Sequence, residues 1–178
     1  VIALVDPVVS QISPRAFNQF LLEPYKEIFE YVHSKGKRTS FFVCGDATKN
    51  IEPMCNTAPE SIFIDENIDM VQAKEITDKY NITIGGNIPL TTIMLHGTQQ
   101  DNMKYVIDLM DSIENSGLKM SQLVIAPGCD MPYDVPPENV VGVIQAIQDT
   151  ESVKLALQDY EQADFDVDVE LRDYDNLE

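Results

Sequence analysis

Short apolar runs alternate with helical segments along most of the chain, and this alternation constrains the fold more than any other feature. The runs at 1–5, 38–43, 61–65, 82–88 and 123–126 are predicted strands. Between them, helices are predicted over 13–36, 52–56, 70–80 and 101–115, and a further helix begins at Pro136. Strands that alternate with helices in this way predict βα units and a parallel sheet. The first run has no period of its own, which predicts a strand buried on both faces.

The segment 13–36 is predicted to be one helix. Ser13 can cap it, Pro14 fits the first helical position, and Gly36 is a suitable residue to end it. The apolar periodicity continues past Pro24, so the prediction carries the helix through that proline.

Charge and composition exclude several classes of function. The chain has 178 residues, of which 44 % are hydrophobic, so it can bury a core of its own. Its net charge of −18 argues against nucleic acids and anionic membranes as partners, because binding to phosphates depends on Lys and Arg. There is no apolar run long enough to span a bilayer and no basic signal-peptide flank, and the three cysteines are widely spaced. We therefore expect a soluble, cytoplasmic protein with no membrane contact and no disulfide framework.

The chain divides into two predicted parts. Residues 1–150 carry the βα pattern, and residues 151–178 form an acidic segment. In that segment, 151–160 can continue as helix, and the strict alternation over 164–171 predicts an extended strand. The five predicted strands are too few to close an eight-stranded βα barrel. Either the chain is part of a longer protein that supplies the missing strands, or the sheet is open.

Unusual polar residues cluster where the predicted strands end, which is where active sites of parallel α/β folds are built. The set is Asp6, Cys44, Asp46, Asp65, Glu66, Asn87, Cys129 and Asp130. Asp6, Asp65 and Asn87 are candidate substrate-binding residues. Asp6 and Asp65 have an equally good alternative interpretation, because a carboxylate at such a position also caps the following loop.

Two of these strand ends share one pattern. Cys44 is followed by Gly45 and Asp46, and Cys129 is followed by Asp130. Two thiolates with an adjacent carboxylate are typical zinc ligands, and zinc with an open position can bind and activate a substrate thiol. We predict Cys44 and Cys129 as catalytic residues, and these two with Asp46 and Asp130 as metal ligands. The alternative is two buried cysteines that only pack.

The sequence resembles the uroporphyrinogen decarboxylase superfamily over about residues 1–150. The matching pieces, in order, are Asp6-Pro7-Val8-Val9-Ser10, Ile12-Ser13-Pro14, the Pro24-Tyr25 helix, Cys44-Gly45, Ser61-Ile62-Phe63-Ile64-Asp65, Gly86-Asn87-Ile88, Gly97-Thr98, Ala126-Pro127-Gly128-Cys129 and Pro136-Pro137-Glu138-Asn139. The resemblance implies the C-terminal portion of an eight-stranded βα barrel of the TIM type. The remaining N-terminal barrel half, or a partner chain, would then complete the fold.

One branch of that family decarboxylates uroporphyrinogen, and the other consists of corrinoid-dependent, zinc-containing methyltransferases. Cys44 and Cys129 match the two cysteines of the methyltransferase pattern, whereas Phe42 occupies the position of its histidine ligand. The resemblance therefore implies methyl transfer between a corrinoid, carried by a partner protein, and a small-molecule acceptor such as a zinc-bound thiolate. The alternatives are a metal-independent tetrapyrrole decarboxylase, which belongs to porphyrin biosynthesis, and a non-catalytic binding protein.

Overall fold

A computed structural model describes residues 1–158 of the chain. Its centre is a parallel sheet of five strands in the order β1-β2-β3-β4-β5. The strands are β1 (Ile2–Val5), β2 (Thr39–Phe42), β3 (Ser61–Phe63), β4 (Thr83–Ile88) and β5 (Leu123–Pro127). The helices are α1 (Pro14–Phe20), α2 (Leu22–Ser34), α3 (Ile51–Cys55), α4 (Met70–Lys79), α5 (Gln99–Asn115) and α6 (Pro137–Gln148). The predicted α/β fold with parallel strands is confirmed.

One face of the sheet forms the main core. The pairing places Leu4 beside Phe41, Phe41 beside Ile62, and Ile62 beside Ile84, so these residues form one row across four strands. Phe41, Ile62 and Ile84 are fully buried. A second cluster, around Ile88, Met94 and Val106, includes side chains from β4, α5 and α6. Burial of aliphatic and aromatic side chains in these two clusters supplies the main driving force for folding.

The opposite face of the sheet is more open. Val5 and Val124, on the two outermost strands, are 57 % and 40 % exposed. The prediction that the first strand is buried on both faces is wrong within the described residues. Among these residues β1 is an edge strand that pairs with β2 alone, so its apolar composition does not translate into burial.

The predicted single helix over 13–36 is also wrong, because α1 and α2 are separated at Leu21. Pro24 lies in the first turn of α2 and has no backbone N–H to donate to the carbonyl four residues earlier. Phe20 would be the acceptor, and α1 ends there. Proline is tolerated in a first turn, where the N–H groups have no helical partner, so the break places Pro24 where it costs least.

Among the remaining elements of the described residues, two bear on the sequence predictions. A single-turn π-helix, Leu90–Leu95, follows β4 and was not predicted. Residues 150–158 are helical, as expected, whereas the predicted strand over 164–171 lies outside the described residues. Within residues 1–158, no helix combines the length and the apolar character needed to cross a bilayer.

Candidate active site

The predicted polar residues lie together at the carboxyl edge of the sheet. Asp6 follows β1 directly, Cys44 lies two residues after β2, Asp65 two residues after β3, and Cys129 two residues after β5. Asn87 lies near the end of β4. Because all five strands are parallel and lie in sequential order, their carboxyl ends share one edge. This common edge forms the candidate site.

The two predicted catalytic thiols are in contact. Cys44 Sγ lies 2.8 Å from Cys129 Sγ, although the residues are 85 positions apart. Two strands separate β2 from β5, and neighbouring strands lie about 4.8 Å apart, so a flat sheet would hold these strand ends about 14 Å from each other. The sheet and its following loops must therefore curve to bring the sulfurs together. Both cysteines are free thiols and are half-buried.

Glycine permits the close approach on the Cys129 side. A Cβ at Gly128 would lie 2.8 Å from the backbone nitrogen of Glu66, so only glycine lets this loop cross over the loop that follows β3. The N–H of Gly128 donates to the carbonyl of Ile88 at 2.9 Å. Both contacts fix the backbone next to Cys129.

Asp65 fixes the backbone on the Cys44 side. Its Oδ2 accepts a hydrogen bond from the N–H of Gly45 at 2.8 Å, and its Oδ1 accepts from the N–H of Asn67 at 3.0 Å and from the Asn67 side-chain amide. Gly45 has φ +84°, a conformation that glycine adopts without steric cost. Asp65 thus caps its own following loop through Asn67, which is one of the two roles that the sequence left open, and it also positions the residue that follows Cys44.

Asp6 and Asn87 also make structural contacts at this edge. Asp6 accepts from the N–H of Val8 at 2.8 Å and from the phenol of Tyr25. Burial raises the pKa of Tyr25, and the Asp6 carboxylate raises it further, so the phenol stays a donor. The side-chain amide of Asn87 donates to the carbonyls of Asp65 and Ile68, and its buried Oδ1 has no hydrogen-bond partner among residues 1–158. Substrate binding by Asp6, Asp65 and Asn87 remains a prediction.

The electrostatics of the site keep one thiol protonated. Burial raises the pKa of Cys44, the contact with Cys129 raises it further, and the nearby carboxylates of Asp65 and Asp130 add to the effect. Without a cation at the site, the negative charges around the two sulfurs therefore oppose ionisation of the Cys44 thiol. A bound cation would remove that opposition.

The four predicted metal ligands do not all converge. Asp46 Oδ1 accepts from the backbone and the hydroxyl of Thr48 at 3.0 and 2.6 Å, so its carboxylate caps the following turn. Asp130 lines a cavity of about 230 Å³ together with Cys129 and Phe42. Within residues 1–158 there is no group of three or more His, Cys, Asp or Glu side chains that could hold a metal ion. The sulfurs fit the preference of zinc for thiolates, but they supply only two donors.

The other cysteine, both histidines and Glu66 lie away from the thiols or are engaged elsewhere. Cys55 is buried in the core. His33 bonds to Thr39 and Glu60 at the opposite edge of the sheet, where β2 and β3 begin. Glu66 accepts from the N–H of Leu90 at 2.6 Å, and His96 ends the π-helix.

A family model for uroporphyrinogen decarboxylase matches residues 1–150. The chain belongs to the uroporphyrinogen decarboxylase family. The family resemblance inferred from the motifs is thereby confirmed, and the five-stranded parallel sheet fits part of the barrel expected for this family.

Curated relatives of this family member include methyltransferases from Methanosarcina species. The chain is 23 % identical over 146 residues to the methylcobamide:CoM methyltransferase MtbA of Methanosarcina acetivorans, a match that covers 81 % of this chain. It is 28 % identical over 150 residues to the methylcobamide:CoM methyltransferase MtaA of Methanosarcina barkeri, which covers 82 % of this chain. The chain spans about 40 % of the length of either relative.

A solved structure shares the fold. The methyltransferase from Methanosarcina mazei superposes with a TM-score of 0.70 at 23 % identity, and the match covers 84 % of this chain and 42 % of that one. This similarity supports the assignment of the sheet to part of a βα barrel.

Proposed function

We propose that this chain is part of a corrinoid-dependent methyltransferase in which Cys44 and Cys129 form the centre that binds the methyl acceptor. The observation that carries the proposal is the 2.8 Å contact between two sulfurs that are remote in sequence and lie at the carboxyl edge of the sheet. The curated relatives, which are named as methylcobamide:CoM methyltransferases, support the same reaction class.

The acceptor in this proposal is a small thiol, and zinc is the metal that the two cysteines would help to hold. Bound zinc would stabilise the acceptor as a thiolate and so make it a nucleophile at neutral pH. Among the predicted acidic ligands, Asp130 is the best candidate for a third donor, because it lines the cavity at Cys129 and no hydrogen bond within the described residues engages its carboxylate. Asp46 is already engaged with Thr48.

The methyl donor in this proposal is a methylated corrinoid on a separate protein, which would dock over the carboxyl edge of the sheet. In the reaction, a bond forms between the acceptor sulfur and the methyl carbon while the bond from that carbon to the donor breaks, and the bonding electrons leave with the donor. The residues of this chain would hold the acceptor sulfur in line with the methyl group, which is the contribution of proximity and orientation.

The alternative predicted from the sequence, a decarboxylase that grips several carboxylates, requires arginine at the same edge. Arg15 lies in α1, Arg38 lies at the amino end of β2, and Arg172 is outside the described residues. No arginine within residues 1–158 therefore directly follows a strand end, and we favour methyl transfer.

The test uses the full-length protein with methylcobalamin as donor and coenzyme M as acceptor, and follows the change in corrinoid absorbance. Cys44→Ser and Cys129→Ser should each lower the rate by about 100-fold or more, because the loss of a metal ligand removes several kcal/mol of stabilisation of the acceptor thiolate. Cys55→Ala is the matched control, since Cys55 is a core thiol away from the site, and it should retain activity. A Cys44→Ser protein as active as the control would refute the proposal. Equal zinc content in the wild type and the Cys44→Ser, Cys129→Ser double variant would refute the metal site.

A further inference from the structure

The two thiols of the site are closer to each other than a shared metal requires. Their sulfurs lie 2.8 Å apart. Two thiolates on one tetrahedral zinc lie about 3.8 Å apart, as two bonds of about 2.3 Å dictate, whereas the sulfurs of a disulfide lie about 2.05 Å apart. The observed separation is nearer to the disulfide.

We propose that Cys44 and Cys129 form a reversible disulfide with a small-molecule disulfide as the oxidant, which makes the pair a thiol modification site. The bond itself does not depend on the proposed methyl transfer. The expected consequence, loss of methyl transfer on oxidation, does rest on that function, because a disulfide occupies both sulfurs and leaves neither as a thiolate ligand.

The surroundings favour this pairing over reaction at the third cysteine. Asp65 holds Gly45 next to one thiol, and the Ile88 carbonyl holds Gly128 next to the other, so the two sulfurs are positioned before they react. Cys55, by contrast, is 2 % exposed in the core. A reagent in solvent can therefore reach the pair and not the core thiol.

The cavity beside the pair determines the order of the two steps. Cys129 lines that cavity together with Asp130 and Pro127, so we expect Cys129 to meet the oxidant first. Its thiolate attacks one sulfur of glutathione disulfide, a mixed disulfide forms, and one glutathione leaves as a thiolate. The mixed disulfide leaves no negative charge on Cys129, which removes one of the effects that raise the pKa of Cys44. Cys44 then loses its proton, and its thiolate attacks the Cys129 sulfur and expels the second glutathione. The two protons of the protein thiols end on two glutathione molecules, and the protein is oxidised by two electrons.

The experiment treats the full-length protein with glutathione disulfide and measures intact mass and non-reduced peptide maps. The wild type and Cys55→Ala should lose about 2 Da, the mass of two hydrogens, and yield one crosslinked pair of peptides, and dithiothreitol should reverse both changes. Cys44→Ser should instead accumulate a single glutathione adduct on Cys129, because the resolving thiol is missing. Cys129→Ser should form no intramolecular disulfide.

Three results would overturn the inference: stable glutathione adducts on both thiols of the wild type, no reaction at all, or a crosslink that involves Cys55. Circular dichroism of each variant establishes that it is folded before its thiols are compared. If the disulfide forms but methyl transfer in the wild type is the same before and after oxidation, the modification site stands and the proposed function fails. If the disulfide does not form but Cys44→Ser lacks methyl-transfer activity, the modification site fails and the proposed function stands.

Discussion

Asp65 is the side chain on which the geometry of the candidate site depends most, and Asp65→Asn tests this directly. The substitution keeps the size and shape of the side chain but replaces one carboxylate oxygen by an amide NH₂. Asp65 accepts from the N–H of Gly45 through one oxygen and from Asn67 through the other. In either orientation of the asparagine, the NH₂ group faces one of these donors, and that donor loses its acceptor.

The magnitude follows from these contacts. A hydrogen bond to a charged group contributes about 1.5–3 kcal/mol, and a donor left without a partner costs about 1–3 kcal/mol. Asp65 is 9 % exposed, so water compensates little. We expect Asp65→Asn to lower the free energy of unfolding by about 2–4 kcal/mol, which corresponds to a melting temperature lower by about 4–16 °C for a domain of this size.

The assay is thermal and urea unfolding followed by circular dichroism, with Asp46→Asn as the matched control. Asp46 lies at the same edge and undergoes the same chemical change, but it is exposed, and within the part of the chain that the structure describes it bonds only to nearby Thr48. Asparagine is also a good cap at such positions, so this variant should stay within about 0.5 kcal/mol of the wild type. The argument is refuted if Asp65→Asn unfolds like the wild type, or if both variants lose the same stability.

Two further predictions follow from other contacts. Gly128→Ala should destabilise the protein by about 1–3 kcal/mol, because its Cβ would lie 2.8 Å from the backbone nitrogen of Glu66. The same variant should form the disulfide more slowly. Urea unfolding measures the first effect and mass spectrometry the second, and unchanged stability and pairing would contradict the prediction. Burial opposes ionisation of Glu60, but hydrogen bonds from Thr39 and His33 outweigh this effect and lower the pKa of Glu60 from 4.5 to about 2. The stabilisation of the fold by the ionised Glu60 is therefore present above pH 4.5 and is lost as the pH falls towards 2. Because Glu60 is partly exposed, we expect its carboxylate to contribute about 1 kcal/mol to the free energy of unfolding. Urea unfolding between pH 6 and pH 2.5 should show a smaller loss of stability for Glu60→Gln than for the wild type. Equal losses would contradict the assignment.

The sequence predicted the sheet well because its strands and helices have distinct periodicities. All five predicted strands are present, and the register aligns Phe41, Ile62 and Ile84 in one buried row, as apolar strands followed by amphipathic helices require. The errors concern information that a local pattern does not contain. The exposure of β1 depends on whether a neighbouring strand is present, and the apolar character of 1–5 does not reveal that.

The sequence predicted which residues lie together at the carboxyl edge, whereas their catalytic, substrate-binding and metal-binding roles remain predictions. Repetition of a cysteine after a strand end was enough to select Cys44 and Cys129, and their sulfurs meet. The role of Asp65 was not decidable, because its partner Gly45 precedes it by 20 positions and belongs to another loop. The crossing of Gly128 over Glu66 is a contact between loops of the same kind. Such contacts have no local period, so sequence alone does not predict them.

The carboxylates at the carboxyl edge show why an acidic cluster is a poor guide to a metal site. Asp65 is committed to Gly45 and Asn67, Asp46 to Thr48, and Glu66 to Leu90. Withdrawing any of these carboxylates to bind a metal would leave backbone donors without an acceptor, at about 1–3 kcal/mol each. Asp130 carries no such cost within the described residues, and Phe42, which lines the same cavity, offers no donor atom. Because no three such side chains within residues 1–158 are grouped to hold a metal, a metal centre here needs a third donor, such as Asp130, to move towards the thiols, or a donor from outside these residues.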